Sequence, residues 1–359
     1  MIPRTTVDIS DEEKNAINRV IESGQFVKGK ECEEFEKEFS SYQGVKYGAG
    51  VNSGTSALHL SLLALDLKPG DEVITVPNTF AATINAIIIA GGKPVFIDID
   101  PETFTINVEK IAEKITEKTK VILPVHLYGL MADMKHIKDI AEDNNLLILE
   151  DACQAHGAEI DGKKAGQFGD LAAFSFFPTK NITVAGDGGM VISNNEELIQ
   201  KIKALRDHGR INKKHVMAGL NNRMSEILAA IGREHLKKID KFTQHRRKIA
   251  ELYKNKLEDI EQITLPIEPR NYKHVYHLYT IRGNDRDDLK SYLYSNNIGS
   301  SIMYAEQLNK LDYVIQVAGI QNTPINEQIN KEILSIPISG TLDIDLVEQT
   351  IDTILKRYN

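Results

Sequence analysis

Between residues 51 and 193 short runs rich in Val, Ile, Leu and Phe alternate with segments of helical length, and this alternation constrains the chain more than any other feature. The runs at 72–76, 94–99, 120–125, 146–150, 172–177 and 189–193 read as strands, and 55–65, 81–90 and 134–143 read as helices between the earlier ones. Parallel neighbours are joined by crossovers, and a parallel sheet is covered on both faces. The pattern therefore predicts an α/β fold built on a mostly parallel sheet flanked by helices. A chain of 359 residues is also too long for one core of ordinary size. From about residue 196 the sequence turns helical and charged, with Asn194 or Asn195 as a cap. Beyond Pro266 come shorter units: "VYHLYTIRG" as a strand, "DRDDLKSYLYSNN" as a helix, and a closing helix from Asp345. We expect a large domain over 1–240, N-terminal segment included, and a smaller α/β domain over 241–359. Ser10 with Glu13 forms a capping box for a first helix running to about Ile21.

Several function classes are disfavoured. The net charge of −8 comes without a long acidic or basic block. The densest basic stretch, "KKIDKFTQHRRK" at 237–248, spreads its charges over more than three helical turns, which reads as a solvated face and not a nucleic-acid site. Cys32 and Cys153 are the only cysteines and lie far apart, so a reducing compartment is expected and a disulfide scaffold is not. No apolar run reaches the length of a membrane span, and "MIPRTTVDIS" lacks a signal-peptide core. The expectation is a soluble cytoplasmic protein without a metal centre.

The segment "SFFPTKN" then poses a problem, because Lys180 follows an apolar strand and a buried ammonium is costly unless paired or deprotonated. In open parallel sheets ligands bind beyond the carboxyl ends of the strands. Phe80, His126, Asp151, Gln154 and Lys180 each stand just past such an end, so they should converge on one sheet edge. "NSGTS" adds Gly54, Thr55 and Ser56 at the start of a helix, where free N–H groups and the positive dipole end favour an anion. Alone, each has a plainer reading: Lys180 could snorkel, Asp151 could cap, Phe80 could be core, and Gln154 and Ser175 could satisfy local backbone. His126, His156 and Cys153 are read as structural. Together a phosphate site, a carboxylate, an aromatic ring and a lysine are the parts that hold pyridoxal 5′-phosphate (PLP), with the lysine in a Schiff base and the carboxylate on the pyridine nitrogen.

The motifs "SGQFVKGKECEEFEKEF", "NSGTSALHLSLLAL", "PGDEVITVPNTFAAT", "LEDACQAHGAEIDGKKAGQFGDLAAFSFFPTKN", "GDGGMVISN" and "NNRMSEILAAIG" follow one another across most of the chain. In that order they resemble the DegT/StrS family of sugar-nucleotide aminotransferases, which are fold-type-I PLP enzymes with a mostly parallel mixed sheet. The resemblance implies that Lys180 is the Schiff-base lysine, Asp151 the partner of the pyridine nitrogen, Gln154 the amide near the phenolic oxygen, and Phe80 the stacking ring. It assigns the phosphate to Gly54, Thr55, Ser56 and Ser175, and to Asn221 reaching in from a neighbouring subunit, which implies a homodimer with shared sites. The implied reaction passes an amine from glutamate or glutamine to a keto group of a nucleotide-linked sugar. In the C-terminal part this chain departs from the family, reading "SSIMYAEQLNK" where relatives carry a His-Tyr-Pro-like segment; Tyr304 is the one counterpart. Three rivals share the fold: a cyclitol or other ring-ketone aminotransferase, a sugar dehydratase, whose family replaces this lysine by histidine, and a non-catalytic regulatory protein.

Overall fold

The computed structural model describes residues 1–358. Its centre is a seven-stranded sheet. In chain order the strands are β1 (Tyr47–Val51), β2 (Glu72–Thr75), β3 (Lys93–Phe96), β4 (Thr119–Ile122), β5 (Leu147–Asp151), β6 (Leu171–Ser175) and β7 (Gly189–Ser193). In space they run β1-β7-β6-β5-β4-β2-β3. All pair in parallel except β7, which lies antiparallel between β1 and β6. The mostly parallel sheet expected from the alternation is present, and antiparallel β7 makes it mixed, as the resemblance implies. The sequence reading missed β1, because "YGAGV" has two glycines and little β-branched bulk; its pairing with β7, residue for residue from Tyr47–Ser193 to Val51–Gly189, supplies what local propensity lacks.

Helices α1 (Asp11–Ser23), α2 (Lys30–Gln43), α3 (Gly54–Ala64), α4 (Ala81–Ile89), α5 (Met134–Asn144), α6 (Glu196–Leu205) and α7 (Glu226–Leu236) surround the sheet. The Ser10–Glu13 capping box is formed, and Asn195 caps α6 by accepting from the Leu198 N–H. Helix α3 is apolar nearly all round, as a helix buried against β6 and β7 with α4 and α6 beside it must be.

Helix α8 (Ile239–Leu257) leads to a second, antiparallel sheet of β8 (Ile263–Thr264), β9 (Tyr279–Gly283) and β10 (Ile333–Ile336). Helices α9 (Arg286–Ser295) and α10 (Ile344–Tyr358) complete this part. A separate cluster of buried apolar side chains starts at Ile249 on α8, takes in Tyr253, Tyr279, Leu293 and Ile351, and also includes Ile2 from the chain's beginning. Two expectations are corrected here. The strand read in "VYHLYTIRG" begins only at Tyr279, because Tyr276 has φ 44° and breaks the extended run. The basic stretch at 237–248 is not wholly solvated: Arg246 is buried and donates to the carbonyls of Tyr276, His277 and Ile338, and Lys238 pairs with the buried Glu13.

Candidate active site

A cavity of about 330 Å³ opens beyond the carboxyl ends of β5 and β6. Gly54, Thr55, Phe80, Asp151, Gln154, Ser175 and Lys180 all line it. Ser56 and Asn221 do not. The Ser56 N–H and hydroxyl turn back to Ser53 Oγ at 3.1 and 3.0 Å, so Ser53, part of the "NSGTS" turn but given no ligand role from the sequence, caps α3 and faces the cavity. Asn221 is exposed, bridged through backbone to Asp207.

Asp151 is the last residue of β5 rather than a residue beyond it. It is 5% exposed. Its Oδ2 accepts from the Thr83 hydroxyl at 2.7 Å and its Oδ1 from the Cys153 N–H at 3.2 Å. Thr79 Oγ1 stands 2.7 Å behind Thr83 Oγ1, extending the chain of hydroxyls. These donors are neutral, so the buried charge is oriented without being neutralised, an arrangement that favours a cationic N–H arriving from a ligand.

Lys180 lies in the turn after β6, its N–H donating to the Phe177 carbonyl at 2.8 Å. Burial holds its amine below the ordinary lysine range; Arg4 adds to that lowering, while Cys153 and Asp151 oppose it. A free amine is the form that attacks an aldehyde and accepts protons. The neighbouring Asn181 ties this turn to the second sheet's approach loop, giving its Nδ2 to the Val275 carbonyl at 3.2 Å and facing His277 Nδ1 at 3.3 Å. Burial pushes the Cys153 thiol well above its ordinary value, so it is no thiolate nucleophile.

Helix α3 points its N-terminus at the cavity, and this is possible because two glycines remove bulk. A Cβ on Gly54 would meet the Ser175 Cβ at 2.7 Å, and a Cβ on Gly189, at the start of β7, would meet the Ser53 carbonyl oxygen at 2.4 Å. Backbone N–H groups of the first turn, with the Ser53, Thr55 and Ser175 hydroxyls nearby, make a ready anion site.

On the opposite wall Gln154 accepts the Tyr128 N–H through Oε1 at 2.9 Å and donates through Nε2 to the Tyr304 hydroxyl at 3.3 Å. The Tyr128 and Tyr304 rings stack at 6.1 Å, and the exposed Phe80 ring meets Tyr304 edge-on at 6.3 Å. Thr83, Tyr128, Arg4 and His277 escaped the sequence reading. The spacing Phe80–Thr83, one helical turn, was a usable signal for Thr83; no local pattern marked Arg4 and His277, which reach the cavity by tertiary folding, or Tyr128, which stands behind Gln154 and Tyr304. His126, read as structural, holds buried Glu150 at 2.9 Å and accepts the Ala132 N–H at 3.2 Å. Among the described residues no group of three or more His, Cys, Asp and Glu is placed to hold a metal, and no helix is long and apolar enough to cross a membrane.

These groups fit PLP: a lysine in the free-amine direction, a buried carboxylate awaiting a cation, and a helix N-terminus for a phosphate. Comparison with known proteins agrees. Residues 7–355 match the DegT/DnrJ/EryC1/StrS aminotransferase family. The chain is 39% identical to a pleiotropic regulatory protein of Geobacillus stearothermophilus, over 98% of this chain and 95% of the relative. It is 37% identical to a UDP-N-acetyl-3-dehydro-alpha-D-glucosamine 3-aminotransferase of Acidithiobacillus ferrooxidans (97% and 94%). It is 40% identical to a dTDP-3-amino-3,6-dideoxy-alpha-D-galactopyranose transaminase of Aneurinibacillus thermoaerophilus (97% and 95%). The crystal structure of S. venezuelae DesV in complex with a ketimine intermediate matches with a TM-score of 0.96 at 33% identity, covering 100% of this chain and 98% of that one. The chain belongs to the DegT/DnrJ/EryC1/StrS aminotransferase family, whose aminotransferases depend on pyridoxal phosphate, and is itself an enzyme of that kind.

Proposed function

We propose that the protein moves an amino group from glutamate or glutamine to a ring ketone at carbon 3 of a nucleotide-linked sugar. The observation that carries the reading is the meeting of Lys180 and Asp151 in one cavity with the N-terminus of α3. The choice of carbon rests on the two full-length relatives named for 3-amino sugars.

PLP, when bound, supplies the aldehyde that captures amines and a ring that stores the electrons released at the reacting carbon. The chain's own residues do the rest. Asp151, steadied by Thr83 and the Cys153 N–H, would hold a proton on the ring nitrogen. Gly54, Thr55 and Ser175 would bind the phosphate at the α3 N-terminus, with Ser56 acting through Ser53. Phe80 would cover one ring face, and Gln154, pinned between Tyr128 and Tyr304, would address the phenolic oxygen. Lys180 takes a proton from the donor's Cα in the first half-reaction and delivers one to the sugar carbon in the second.

Asn221, exposed and outside its own cavity, suits a role on the neighbouring subunit's phosphate, which makes the working unit a C2 homodimer. The division into 1–240 and 241–359 is supported by the separate apolar cluster that begins on α8, with Ile2 belonging to the smaller unit. Free Cys32 and Cys153 favour the cytoplasm. Incubating the protein with glutamate and, in separate reactions, UDP- or dTDP-linked 3-keto sugars, the corresponding 4-keto sugars and a cyclitol ketone, with mass detection, tests the assignment. Amination of a 3-keto sugar alone is expected; turnover of a cyclitol ketone, or of 4-keto sugars only, would refute it.

A further inference from the structure

Arg4 lines the cavity beside Lys180, His277 and Tyr304, yet its guanidinium takes no ion pair and no side-chain hydrogen bond among the described residues. It is not there by slack in the chain. The Ile2 N–H donates to the Asn297 carbonyl at 2.7 Å, the Gly299 N–H to the Ile2 carbonyl at 2.8 Å, and the Ile338 N–H to the Arg4 carbonyl at 2.9 Å. The Thr6 hydroxyl adds a contact to Thr341 at 2.8 Å. The first residues thus form a strap fixed to the smaller unit, and the strap delivers a cation to a cavity walled by the ends of the main sheet together with His277, Met303 and Tyr304 of the smaller unit. Arginine keeps its charge at all working pH values, so a guanidinium partly buried without a carboxylate is a site for an anion that arrives with a ligand.

Four anions belong to a reaction of the proposed kind when glutamate is the donor, and its distal carboxylate, which glutamine lacks, is the one that the comparison with 4-aminobutyrate below tells apart. The cofactor phosphate has the α3 N-terminus. The sugar's diphosphate is separated from the reacting carbon by the ring itself. The α-carboxylate of the amino donor is one bond from the carbon whose proton Lys180 removes, and Arg4 is close enough to Lys180 for its charge to depress the amine. We propose that Arg4 binds the α-carboxylate of the amino donor and thereby selects α-amino acids over other amines. The inference rests on the aminotransferase reading above.

The test separates the half-reactions. With PLP-loaded protein, glutamate is compared with 4-aminobutyrate, which keeps the distal carboxylate and lacks the α one, by following the cofactor's absorbance. Arg4→Gln is expected to slow conversion by glutamate on the order of 10- to 100-fold, the range for a lost hydrogen-bonded charge partner, and to leave 4-aminobutyrate unchanged. Binding of α-methylglutamate, measured by calorimetry, should weaken by a similar factor. The second half-reaction, from protein loaded with the amine form of the cofactor and given the keto sugar, should proceed at the wild-type rate. Loss confined to the sugar half-reaction would assign Arg4 to the diphosphate and overturn the proposal, as would equal losses for both amines. Should Arg4→Gln not fold, Arg4→Lys, which keeps the charge, must show a smaller glutamate-specific loss. Wild-type protein that binds PLP but is converted by no amino acid would refute the aminotransferase reading itself.

Discussion

Gly189→Ala probes the architecture of the site without touching a chemical group. The added Cβ would stand 2.4 Å from the Ser53 carbonyl oxygen and 2.9 Å from the Gly54 nitrogen, where real Cβ atoms stay outside 3.0 Å. Something must move by at least the 0.6 Å between 2.4 and 3.0 Å. Both sides are backbone: β7 is clamped between β1 and β6, and the residues struck are the cap and first residue of α3. The helix entry is the freer partner, so the anion site shifts. Overpacking of this kind costs about 1–3 kcal/mol, and about 1.4 kcal/mol is tenfold in affinity. PLP affinity should therefore fall roughly 10- to 100-fold, with far-ultraviolet circular dichroism unchanged. The assay is fluorescence titration of cofactor-free protein with PLP. Gly24→Ala is the control: its φ of 67° makes alanine strained, but nothing lies within 4 Å of the new Cβ, so stability drops while PLP affinity holds. If Gly189→Ala binds PLP as the wild type does, the α3 N-terminus is not the phosphate site.

Lys180→Met should cut turnover at least about 10³-fold, and because it removes a buried amine it should leave the cofactor-free protein as stable as the wild type or more so; retained turnover, or a large loss of stability, contradicts the assignment. Asn221→Ala should weaken PLP retention about tenfold while sedimentation still reports a dimer, and a fully active monomeric wild type would remove the shared-site idea. For Glu13, burial alone would raise the carboxyl, but bonds from Lys238 and Ser10 outweigh it and bring it from 4.5 to about 2. The unfolded chain thus binds the proton first as pH falls, so this pairing stabilises fully above about pH 4.5 and fades towards pH 2. The stability gap between wild type and Lys238→Met, read by denaturant titration, should narrow over that window, and a constant gap would refute the pairing.

The sheet and the main site were legible because each rests on local pattern. Apolar runs of strand length announced β2 to β7, and residues at or just past the ends of β2, β5 and β6 announced Phe80, Asp151, Gln154 and Lys180, whereas His126, past β4, is engaged by Glu150 and Ala132 and is not part of the cavity lining. Legibility failed where packing overrides the local signal. The glycines of β1 and the positive φ of Tyr276 cannot be inferred from periodicity. Arg246, three residues beyond Thr243 on α8, looked like part of a solvated face until the carbonyls of the smaller unit enclosed it. Ser56 was read as a ligand group because hydroxyls at a helix start can either cap or bind, and only the fold decides that Ser53 faces the cavity while Ser56 faces Ser53. Arg4 is the extreme case, a residue whose role depends on contacts with positions 297 to 338.

Reduction of the PLP-loaded protein with borohydride, followed by peptide mass mapping, addresses the central claim most directly. The account predicts one pyridoxyl group per chain, on Lys180, and its disappearance when glutamate is added before the reductant. A label on any other lysine, or none on protein that binds the cofactor, would contradict it.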